Sequence, residues 1–164
     1  MLSNVYPESK AAASGVFEDL GVSWTLVQLP DTTTHHYCGY VRFSKCPMEN
    51  TGYDRILTYV PVHGGITYAE SDEYGYVYGF DCAHLGDEDR PELWDEDFLR
   101  QECWRLAKAI QIAAKYECSY ELRTDQQVRA GILNDLTAEM KRAGISVDYS
   151  VSFGFMLKVL SGKL

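Results

Sequence analysis

The chain has no long apolar run, no basic stripe and no paired-cysteine motif, and each absence removes a class of function. No stretch approaches the roughly 20 apolar residues needed to cross a bilayer, and the mostly apolar segment 153–160 is far too short. No secretory hydrophobic region follows Met1. The five cysteines (Cys38, Cys46, Cys82, Cys103, Cys118) are odd in number and scattered, with no C-x-x-C pair. That usage fits a reducing compartment, so a cytoplasmic location without membrane attachment is expected. Bases are few: Lys and Arg total 15 against 24 Asp and Glu, a formal net charge of −9. Nucleic-acid backbones are gripped by Lys and Arg that displace counterions, so nucleic acid is not expected as a partner. An acidic surface can still meet a basic host protein or mimic nucleic-acid charge. Internal repeats, a P-loop, a dinucleotide fingerprint and the H-E-x-x-H zinc spacing are also missing.

What remains is an ordinary globular composition, 46% hydrophobic and 24% charged, in a chain long enough to bury a core as a single domain over 1–164. Eight of the 12 tyrosines fall between residues 37 and 78, where ring-in, hydroxyl-out side chains suit a half-buried sheet. A short helix is expected over 8–20. Strands are expected at 24–29, 37–43, 56–62, 66–69 and 75–80, with Tyr37, Gly39, Val41 and Phe43 sharing one face. Seven acids between Gly86 and Asp97 lead into a helix over about 95–116. Its core stripe is Leu99, Cys103, Leu106, Ile110 and Ala113, and Glu102 and Arg105 read as a surface pair. A second helix over about 124–143 opens on a capping box at Thr124 and Gln127 and places Val128, Ile132, Leu136 and Met140 inward. Residues 145–159 alternate apolar and polar at period 2, the pattern of a strand, which can also pair across a homo-oligomer. The fold class is therefore α+β: an antiparallel or mixed sheet, two main helices on one face and a C-terminal strand segment.

Chemistry concentrates in two strings. Val62-His63-Gly64-Gly65-Ile66-Thr67 follows one expected strand, and Asp81-Cys82-Ala83-His84-Leu85-Gly86-Asp87 follows another. Imidazole and carboxylate suit zinc, manganese or iron, so His63, Asp81, His84 and Asp87 are candidate ligands for a divalent metal. Gly64 and Gly65 leave backbone N–H groups open, and Thr67 adds a hydroxyl. With His63, Asp81 and His84 they form a candidate pocket for a small polar ligand. Cys82 with His63 or His84, oriented by Asp81, has the residue types of a nucleophile pair. Side chains alternate across a strand, however, which turns Cys82 away from Asp81 and toward the core. Asp81 and Asp87 can equally tie down turns by accepting backbone N–H groups.

Cys38-Gly39-Tyr40-Val41, Val62-His63-Gly64-Gly65-Ile66-Thr67-Tyr68 and Gly79-Phe80-Asp81-Cys82-Ala83-His84-Leu85-Gly86-Asp87 resemble a family of small bacteriophage and prophage proteins. In that family a G-Y-V strand precedes V-H-G-G-[LI]-T-[YF] and G-F-D-C-A-H-x-G-D, then a helix with an acidic start. The resemblance covers roughly 37–116. Ser44–Tyr53 departs from the longer Gly/Pro/His stretch of the family, and the helix–strand extension over 121–164 lies outside it. The resemblance implies an accessory protein acting in the host cytosol on host machinery or defence, for instance by sequestering or degrading a nucleotide signal.

Three functions fit these features. The first is a module binding a small polar ligand, a nucleotide among the candidates, at the two strings. The second is a metal-dependent hydrolase using the same His/Asp set. The third is an acidic inhibitor of a host protein.

Overall fold

The computed structural model describes residues 10–29, 36–48 and 56–147. They form an α+β fold with five strands: β1 (Lys10–Phe17), β2 (Val22–Gln28), β3 (Tyr37–Phe43), β4 (Tyr68–Asp72) and β5 (Gly75–Asp81). All four pairings are antiparallel, and the sheet order is β1-β2-β3-β5-β4. Two helices follow, α1 (Glu96–Glu121) and α2 (Gln126–Arg142). Helix α1 packs across β2 and β3, and α2 packs against α1. No described helix is long and apolar enough to cross a membrane.

The period-2 strands explain the layering. On the α1 side, Val22 and Leu26 of β2, Val41 and Phe43 of β3, and Tyr78 and Phe80 of β5 join Leu99, Cys103, Leu106 and Ile110 in one core. The alternate positions Val27, Cys38, Tyr40 and Val77 form a smaller cluster. Each fully buried aliphatic or aromatic side chain contributes about 1.5–3 kcal/mol. Gly39 lets the layers approach: a Cβ there would stand 2.4 Å from the Phe80 ring and 2.9 Å from Cys103 Sγ. A side chain at this position would have to displace the Phe80 ring and the Cys103 thiol.

Several expectations are corrected. The helix expected over 8–20 is strand β1 from Lys10 onward. Its Gly15 and two serines are weak helix formers, and pairing with β2 satisfies its backbone instead. The turn after it is tied to α1 by Gln111 Nε2, which donates to Leu20 O, and by Trp104 Nε1, which donates to Asp19. The strand expected over 56–62 is a 3₁₀ turn (Ile56–Tyr59) and an irregular segment, with Ile56, Leu57, Val60 and Val62 buried. A short continuous apolar run marks burial without fixing the backbone, and here the turn packs on α1. Strand β4 begins two residues later than the expected 66–69 strand and runs on through Asp72. Helix α1 extends past Tyr116 to Glu121. Helix α2 is capped by Asp125, whose carboxylate accepts from Val128 N, rather than by Thr124. Val128 is exposed, and Leu133 is buried beside Leu136 and Met140. Ile145 is buried but lies outside any strand. The rest of the segment expected as strand over 145–159 lies outside the described residues from 148 on.

Candidate functional site

Antiparallel pairing of β4 and β5 puts Tyr68, the first residue of β4, beside Gly79 near the end of β5. The loop entering β4 and the loop leaving β5 therefore share one end of the sheet. His63 comes from the first loop, and His84 and Asp87 from the second.

Asp87 is the hub. It is buried, and its Oδ2 accepts from the His84 backbone N–H at 2.9 Å. The same oxygen stands 2.9 Å from His63 Nε2 and 3.3 Å from His84 Nδ1. Burial disfavours the ionised carboxyl, but the bonds from His63 and His84 more than offset it and hold Asp87 below the usual carboxylate range. The two imidazoles meet edge to face with centroids 5.4 Å apart. One ligand atom from each of His63, His84 and Asp87 lies within 4.8 Å of the others.

The remaining predicted residues surround this cluster unequally. Asp81 Oδ1 accepts from Ala83 N at 3.1 Å, closing the turn, and lies 3.6 Å from His84 Nδ1. Gly64 has φ 66°, and a Cβ there would sit 2.0 Å from His84 Cε1. Only glycine lets the His84 ring lie against this backbone. Of the two amides expected to be open, that of Gly65 is engaged, donating to Val62 O at 3.0 Å; Thr67, expected to offer its hydroxyl, is tied to β5 by its own amide, which donates to Gly79 O at 2.9 Å. Cys82 points into the core, where burial pushes its thiol pKa up and keeps it protonated.

Two residues that sequence reasoning did not assign to the site touch it. Glu102, expected on the surface, is buried. Its Oε2 accepts from His63 N at 3.1 Å and its Oε1 accepts from Arg105 at 2.5 Å. Arg105 also donates to Ser146 O. The available signal was an acid set among Leu99, Cys103 and Leu106 on the core stripe. Arg90 is the other. Its Nη1 lies 3.4 Å from His63 Nδ1, and its Nε donates to Glu92 Oε1 at 2.8 Å. It is the one Lys or Arg in the acidic stretch between Ala83 and Leu99.

No family model, curated protein or solved structure matches this chain. Two imidazoles and a carboxylate fit a divalent transition metal in donor type. In a tetrahedral site with bonds near 2.0–2.1 Å, ligand atoms stand about 3.3 Å apart. The 2.9 and 3.3 Å separations around Asp87 Oδ2 are close to that spacing, and with all three ligand atoms within 4.8 Å of one another the two imidazoles would close toward each other around an ion.

Proposed function

We propose that this chain binds a divalent transition-metal ion through His63, His84 and Asp87, and that the metal holds a small polar ligand at the loop surface. The observation that carries this reading is the convergence of three ligand atoms, from two separate loops, within 4.8 Å. The main competitor is a metal-free pocket built on the amides of Gly64 and Gly65 and the hydroxyl of Thr67, beside His63, Asp81 and His84. It has less behind it because the Gly65 amide already donates to Val62 O. Asp81 closes its own turn, so it ranks below the other three as a ligand.

Three protein ligands leave a coordination position open, as catalytic rather than structural zinc sites do. A second reading therefore adds hydrolysis: water at that position becomes a nucleophile near neutral pH, with a pKa of about 7 on zinc. The phage accessory role stands on the sequence resemblance and makes nucleotides candidates for the small polar ligand.

X-ray absorption of the zinc-loaded protein tests the site. Nitrogen and oxygen donors at about 2.0–2.1 Å with imidazole scattering are expected. A sulfur shell at about 2.3 Å would instead place the metal on a cysteine and sink the assignment.

A further inference from the structure

We infer that Arg90 is an anion-binding residue released for that task when the metal binds. The inference rests on the metal reading above and names the chemical class of the ligand, a phosphate or phosphorylated small molecule.

The His63 ring stands between a cation and an anion. Arg90 Nη1 lies 3.4 Å from Nδ1, and Asp87 Oδ2 lies 2.9 Å from Nε2. A guanidinium only donates hydrogen bonds, so Nδ1 is the acceptor. The ring proton then sits on Nε2, directed at Asp87. A metal taking Nε2 requires that proton on Nδ1, because a metal-bound imidazole carries its N–H on the other nitrogen. Between the two arrangements the ring proton moves from Nε2 to Nδ1. Two donors then face each other across the Nδ1–Nη1 contact, and Arg90 must turn away.

Its new partner follows from the surroundings. Arg90 is paired with Glu92, but the side chains are 46% and 42% exposed, so this ion pair is weak and exchangeable. Asp81, Asp87 and Glu92 make the loop end repellent to anions until a dication is present. With the metal in place, an oxyanion gains both an open coordination position and a guanidinium one imidazole away. Arginine suits tetrahedral oxyanions because its fork offers parallel N–H donors.

The test uses the intact protein with Co²⁺, whose visible spectrum reports ligand changes, and inorganic phosphate as the probe. Phosphate is expected to shift the spectrum of the cobalt-loaded protein saturably and to leave metal-free protein unbound in calorimetry. Arg90→Gln is expected to take up cobalt at least as tightly as wild type, yet to need about tenfold more phosphate, the loss of one charge-assisted contact. Glu92→Gln, which frees Arg90, is expected to bind phosphate more tightly. Equal phosphate affinity in wild type and Arg90→Gln overturns the role of Arg90 and leaves the metal site standing. Equal phosphate binding with and without cobalt overturns the coupling. Failure of wild type to take up cobalt overturns the metal reading, and this inference with it.

Discussion

His63 Nε2 and Asp87 Oδ2 stand 2.9 Å apart, joining the loop before β4 to the loop after β5 through a buried carboxylate. Asp87 also accepts from the His84 amide. Removing that carboxylate strands donors inside the protein, and each unsatisfied one costs about 1–3 kcal/mol. Asp87→Ala is therefore expected to lower stability to urea by at least that amount. Equilibrium unfolding measures it, and an unchanged midpoint contradicts the hub role.

Acid should act through the same residue. Asp87 is held below its ordinary carboxylate range, with the bonds from His63 and His84 outweighing burial. A depressed native value contributes stability that is complete above the unfolded value, about 3.9, and is lost as pH falls through the native one. Asp72, hydrogen-bonded to Arg42 and lowered to about 2, adds its own slope in this window. The difference between wild type and Asp87→Asn isolates Asp87. Wild type should lose its advantage below about pH 4, and parallel pH curves for the two proteins would argue against the assignment.

Glu102 is expected to hold His63 in place from helix α1. Glu102→Ala leaves the His63 amide and Arg105 without their carboxylate. Amide hydrogen exchange at His63 should quicken well before exchange in the sheet does, while the fold persists. Unchanged protection at His63 would mean that Glu102 only packs.

The thiols separate by burial. Cys38, Cys82 and Cys103 are buried, Cys46 and Cys118 are exposed, and none of the five forms a disulfide. Burial raises the Cys82 and Cys103 thiol pKa values, which suppresses the reactive thiolate. Two cysteines should label rapidly in the native protein and three only on unfolding. Rapid labelling of Cys82 would restore it as a candidate nucleophile.

The parts of this structure legible in the sequence are those set by local pattern. Strands β3 and β5, dense in Tyr, Val and Phe, appear close to where the sequence places them, and the core stripe of α1 is buried as spaced. Strand β1 was not legible because its Lys-Ala-Ala-Ala composition favours a helix, and only pairing with β2 overrides that preference. The run 56–62 misled because Ile, Leu and Val signal burial in a turn as well as in a strand. His63, His84 and Asp87 stood out because their strings flank extended runs. Their shared end of the sheet needed the β4–β5 register. Glu102 and Arg90 were hidden for the same reason: each acts on His63 through a contact distant in sequence.

The measurement that bears most directly on the central claim is metal stoichiometry, by elemental analysis, of protein exposed to zinc and dialysed without chelator. Wild type is expected to retain one equivalent, and His63→Ala and His84→Ala, folded by circular dichroism, to retain none. A metal-free wild type, or equal retention by all three proteins, would contradict the account.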